Sequence, residues 1–226
     1  MQRYNMFNQI HKGLRAMMFE TALSLQHTDF SNPEEAAETL FKVEEVVQAF
    51  HSHAEHEDRF VLPAVAKYAP ELVNEFGSEH EKDEQLSIDL VSLVAKWYLA
   101  TDAEARLAAG YALTMAFNEF IAFNLYHMNK EEDKINKTFW KNYVDAELIG
   151  ISQAIVANIP PDDMARASKW MMRGLNNNEI RKWLSAVKND APDFVFRSLL
   201  SVAETALEEN RWNDIKEGLM EGVMTA

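Results

Sequence analysis

His53-Ala-Glu-His-Glu57-Asp-Arg-Phe-Val-Leu-Pro63 decides how this chain is read, and His127-Met-Asn-Lys-Glu131-Glu132 repeats its central spacing. In both, a carboxylate follows a histidine by four residues inside a strongly helical stretch. Four residues advance a helix by about 400°, so each imidazole and its carboxylate leave the same face one turn apart. The neighbours on those faces are apolar. Val46, Phe50, Phe60 and Ala64 continue the first pair, and Leu113, Phe117, Phe120 and Asn124 lead into the second. Two lone histidines behave alike: His11 lines up with Phe7, Leu14 and Met18, while His80 follows Val73 and Phe76 and precedes Val91 and Val94. Six polar groups thus interrupt core-facing stripes. A buried carboxylate is costly unless it is paired or bound to a cation.

The rest of the chain fits a helical bundle. Strand signals are nearly absent and breakers are widely spaced. Helices are expected over about Tyr4–Leu25, from Pro33 (capped by Ser31 or Asn32) to about Tyr68 with a bend near Pro63, from Pro70 to about Leu99, and from a cap at Thr101 or Asp102 to about Ala146 or beyond. Pro160-Pro161 opens a further unit, with three more amphipathic helices divided near Asn176–Asn178 and Ala191-Pro192. The expected fold class is all-α: an up-down four-helix bundle over residues 1–150, then a helical extension over 151–226 that packs on the bundle or forms a homodimer contact. Depth agrees loosely. Glu57 stands roughly 20 Å of helix rise from the turn at Pro70, and His80 roughly 15 Å.

Composition narrows the function. The 226 residues are 47% hydrophobic with 7 Gly and 6 Pro, which describes a globular protein. A formal net charge of −14 without a basic cluster argues against nucleic acid. The start lacks an apolar run of signal length, and the greasiest segments, Val91–Ala100 and Leu148–Ile159, are short, so no membrane association and a cytoplasmic location are expected. Zero cysteines excludes disulfides and thiolate ligands. Imidazole with carboxylate suits iron, manganese or zinc. Four histidines and two carboxylates exceed one tetrahedral zinc and suit two ions sharing bridging carboxylates, with open positions for solvent or a small ligand.

These residues resemble the hemerythrin-like (HHE cation-binding) domain family. The resemblance rests on Gln9-Ile-His11-Lys-Gly-Leu-Arg15, the His53–Pro63 segment, Glu79-His80-Glu81 and His127–Glu132, in order, across roughly residues 1–150. It implies a four-helix bundle with a non-haem di-iron centre. His11, His53, His80 and His127 would be terminal ligands, and Glu57 and Glu131 bridging ones. Implied roles are binding of dioxygen or a related small ligand for sensing or storage, or turnover of nitric oxide or peroxide by a di-iron oxidoreductase. A structural or adaptor bundle with a degenerate site is the third alternative, and a binding protein is favoured over an enzyme. The oxygen-carrying members have a fifth histidine one turn from His80. Here Glu84 and Phe76 occupy those positions, which weighs against reversible carriage and leaves Glu84 a ligand, an imidazole partner or a solvated group. His51 with Glu55, His27, Asp58 and Glu132 are expected on solvated surfaces.

Overall fold

The computed structural model describes residues 3–224, with side chains through Leu219, and these form helices and short connections with no strand among them. Two compact units emerge: residues 1–8 with 17–158, and residues 9–16 with 159–226. No helix among the described residues is long and apolar enough to cross a membrane.

The first unit carries the long rods, except that residues 9–16 of the first rod group with the second unit. Helix α1 (Asn8–His27) is followed by α2 (Pro33–His56), where Pro33 occupies the first turn and the Asn32 side chain accepts from the Glu34 and Glu35 amides. A π-helical turn, Glu57–Val61, joins α2 to α3 (Leu62–Ala66). Pro70 opens α4 (Pro70–Leu99), which ends where the sequence predicts. Asp102 caps α5 (Ala103–Lys130) through the Ala105 amide, and a second π-helical turn, Glu131–Ile135, leads into α6 (Asn136–Asn142). Helix α7 (Asp145–Val156) completes the unit. The fourth rod stops before the Ala146 expected from sequence. Arg3 donates to the carbonyls of Trp140 and Tyr143 and pairs with Asp145 at 2.6 Å, satisfying helix-end carbonyls that would otherwise lack partners.

Apolar layers close the bundle on both sides of its polar level. One contains Phe7, Val61, Val65, Phe76, Ile135 and Phe139. In the other direction, Phe50 meets Phe120 edge-on at 5.1 Å, and Phe117 stacks on Phe120. At the far end, Trp97 donates to the Phe30 carbonyl at 3.0 Å, and a Cβ at Gly110 would overlap the Phe30 ring. That glycine lets the first loop seat against α5. One stripe differs from expectation: Val91 is exposed, and α4 buries Leu86, Leu90, Val94 and Trp97 instead.

Among the described residues from Pro161 onward the second unit holds four helices where the sequence predicts three: α8 (Pro161–Gly174), α9 (Asn177–Asp190), α10 (Asp193–Ala206) and α11 (Glu209–Met224). The unforeseen break lies at Leu207-Glu208, which no Gly or Pro marks. Asn176 and Glu179 exchange side-chain and backbone hydrogen bonds as a capping box at α9. Leu175, Ile180, Leu184, Leu199, Leu207, Trp212 and Ile215 build an apolar core. Within this unit Lys12 pairs with Glu179 at 2.6 Å, and the bare α-carbon of Gly174 lies against the Lys12 backbone, where a Cβ would collide.

Candidate metal centre

Glu57 and Glu131 each open a π-helical turn. The Leu62 amide reaches back five residues to the Glu57 carbonyl, and the Asn136 amide reaches back five to that of Glu131. Pro63 supplies a local reason at the first site, since it offers no N–H to continue the α-helical ladder. The chain after Asn136 has no such residue; the wide turn there has no sequence signature. Widened turns inside α-helices occur frequently at functional sites. Here they place Glu57 and Glu131 inward and keep Val61 and Ile135, four residues on, in the apolar layer beneath.

The six residues singled out in the sequence come together in two groups. His11, His53, Glu57 and Glu131 form one; Glu57, His80, His127 and Glu131 form the other. Within each group, ligand-capable atoms lie within 4.8 Å of one another. The two carboxylates belong to both. His11 and Glu131 are wholly buried, and Glu57, His80 and His127 nearly so. His53 Nε2 stands 3.3 Å from Glu57 Oε1, and His127 Nε2 stands 3.0 Å from Glu131 Oε1. His80 Nε2 lies between the carboxylates, 3.4 Å from Glu57 Oε2 and 3.8 Å from Glu131 Oε1.

The outer nitrogens of two imidazoles are held by carboxylates from outside the set of six. His80 Nδ1 is 2.7 Å from Asp58 Oδ1. His127 Nδ1 is 2.8 Å from Glu79 Oε2, and Glu79 in turn pairs with Lys130. Asp58 was expected to face solvent alone. Instead it reaches across from the π-helical turn to α4 while remaining half-exposed. A carboxylate on Nδ1 fixes ring orientation and leaves Nε2 facing inward as a donor atom, the usual arrangement behind a metal-bound histidine. The rings of His80 and His127 pack edge-on, with centroids 5.1 Å apart. Phe123 stacks on His127, and Phe76 meets it edge-on.

Burial favours the neutral form of both rings, but negative charge wins. At His80, burial is outweighed by Glu131, Glu57 and Asp58, which push the imidazole up to about 11. At His127, Glu131 and Glu57 likewise overcome burial and raise it. The cluster is therefore a strong attractor of cations, protons included. One helical turn from His80 lies a second buried polar pair, Asp83 with Asn124, whose side-chain amide donates to Asp83 Oδ1 at 2.6 Å. Burial raises the Asp83 carboxyl. Asn124 was visible in the sequence stripe; Asp83 was hidden among charged neighbours.

The remaining candidates lie outside. Glu84 is exposed and belongs to neither group. His51 and Glu55 form an exposed pair at 3.6 Å, as their angular position predicts. His27 is exposed.

The donor set fits a pair of first-row divalent ions. It offers imidazole and carboxylate, no thiolate, two carboxylates common to both groups, and a buried His80 Nε2 that makes no hydrogen bond. Residues 3–139, well over half of the chain, match the family model described as the hemerythrin HHE cation-binding domain. No curated protein and no solved structure matches the chain. With that match covering all six converging residues, the chain belongs to the hemerythrin HHE cation-binding domain family.

Proposed function

We propose that the protein holds a non-haem di-iron centre and binds dioxygen or a related small ligand, such as nitric oxide, for sensing or storage. The observation that carries this reading is the sharing of Glu57 and Glu131 by two four-residue groups. Each carboxylate has two oxygens, so each is able to bridge. His11 and His53 would complete one ion's protein ligands, and His80 and His127 the other's. If both carboxylates bridge, the protein supplies about eight donor atoms, against about twelve for two six-coordinate metals. The difference leaves room for an exogenous ligand, and a pair of iron ions supplies the electrons that reversible or reactive binding of dioxygen needs.

The chain's own residues set the conditions. Asp58 and Glu79 orient His80 and His127. Phe76, Phe123 and the Phe50–Phe120 contact exclude water from the flanks of the cluster. Manganese and zinc satisfy the same donor types, so the metal is assigned by experiment.

That experiment is elemental analysis after anaerobic ferrous loading, with optical spectra before and after admission of air. About two irons per chain and a visible charge-transfer absorption that appears with air are expected. Fewer than one metal per chain would overturn the reading in favour of a structural bundle. Steady consumption of a reductant with nitric oxide or peroxide would move it to an oxidoreductase.

A further inference from the structure

Between α2 and α4 a groove of about 620 Å³ opens to solvent, and His80 is among the residues that line it. Asp83 and Ser87 join His80 as its buried wall, and Glu55, Asp58, Glu81 and Glu84 stand along its exposed rim. Five carboxylates line it, and no lysine or arginine does. The α4–α5 side of the same cluster is different. There Lys134 holds Glu75, and Lys130 holds Glu79, so carboxylates and ammonium groups cancel.

Ser87 gives an independent sign of a ligand. A helical serine normally returns its hydroxyl to the carbonyl four residues back, as Ser92 does on this same helix at 2.8 Å. The Ser87 hydroxyl makes no hydrogen bond although the residue is only 7% exposed, and it lines the groove. Asp83 lies one turn from it, fixed by Asn124, and His80 lies a further turn on. Oxygen, carboxylate and imidazole thus descend α4 in single-turn steps of about 5.4 Å.

We propose that this groove is the loading path for the divalent cations of the centre, with Asp83 and Ser87 forming a transit site above His80. The proposal rests on the di-metal reading given above. A neutral gas gains nothing from five carboxylates, and an anion is repelled by them. A divalent cation is drawn in, because charges of one sign along a low-dielectric cleft focus their field toward its floor. Asp83 and Ser87 offer hard oxygen donors where an ion sheds water before meeting His80.

The test is stopped-flow uptake of Co²⁺ by the metal-free full-length protein, read by visible absorption, with final cobalt content measured separately. Glu81→Gln with Glu84→Gln should slow uptake about tenfold at low ionic strength and flatten its salt dependence, since such steering is screened over roughly 8–10 Å. The exposed pair Glu104→Gln with Glu119→Gln, on α5, should leave the rate unchanged. Asp83→Asn and Ser87→Ala should each slow uptake further while final content matches the parent. Should either buried variant misfold by circular dichroism, the rim pair decides alone. Equal rates and salt slopes for the rim pair and parent would overturn the path. Lower final cobalt in folded Asp83→Asn would make Asp83 a resting ligand and overturn the transit site. No cobalt uptake by the parent would instead remove the di-metal reading itself.

Discussion

His80 and His127 lie side by side in one ligand group and approach the same carboxylate, yet their outer nitrogens are held by different means. On the α4–α5 side, Glu79 is 17% exposed, and Lys130 backs it. On the α2–α4 side, Asp58 is 54% exposed, with no lysine or arginine along the groove beside it. One half is braced by a neutralised ion-pair ladder; the other is left acidic and open. Two imidazoles of one ligand group thus need not be held alike, because the outer partner of each comes from whichever element lies alongside.

The hardest blow to the comparison falls on what the halves share. With the proposed pair of ions bound, Glu57→Gln or Glu131→Gln should each drop metal content from about two per chain to fewer than one, because each carboxylate belongs to both groups. Metal analysis after gel filtration reads this. Retention of both ions by either variant would mean the two groups are separate sites.

Proton linkage separates the empty halves from the filled ones. His80 rises from 6.5 in the unfolded chain to about 11 in the metal-free fold, and His127 rises as well. Because the folded state binds these protons more tightly, their stabilisation is fully present below about pH 6.5 and disappears as pH climbs toward about 11. Urea melts of the metal-free protein should therefore lose stability across that alkaline window, on the order of a few kcal/mol. The metal-loaded protein should lose stability in acid instead, since its imidazoles must stay neutral to ligate. Parallel pH profiles for the two forms would show that metal and proton do not compete.

The outer partners test the asymmetry itself. Removal of a carboxylate behind a ligating histidine commonly costs about 10–100-fold in metal affinity. Glu79→Gln should fall at the upper end, because it also leaves Lys130 uncompensated beside His127. Asp58→Asn should fall at the lower end, since water reaches that position. Competition with a chromophoric chelator ranks them, and the reverse order would sink the account of a braced and an open half.

The smallest effect is expected outside. His51→Ala breaks an exposed pair with the same four-residue spacing and should shift unfolding free energy by less than about 0.5 kcal/mol. Metal content should not change. A loss of metal would show that the outer face contributes to the centre.

Much of this was legible beforehand because helix periodicity is a local property. The stripes through His53, His127 and His80 fix which groups face inward, and the breakers at Pro33, Pro70 and Asp102 fix where rods begin. Less legible were features with weak local signals. The break at Leu207-Glu208 carries no Gly or Pro, and the fourth rod ends early because Arg3, more than 130 residues away in sequence, takes its last carbonyls. Val91 lies on the stripe drawn through His80 and Val94, yet α4 turns Leu86, Leu90 and Trp97 inward and leaves Val91 exposed.

Sequence alone determined the all-α class, the inward set of His11, His53, Glu57, His80, His127 and Glu131, and the exclusion of thiolate chemistry. Tertiary structure decided that Glu57 and Glu131 serve both groups, that Asp58 and Glu79 hold the imidazoles from behind, and that Asp83 is buried against Asn124. The physical reason is reach. Angular position on one helix follows from spacing, whereas the level at which one rod meets another depends on loops, caps and two widened turns that side-chain pattern does not encode.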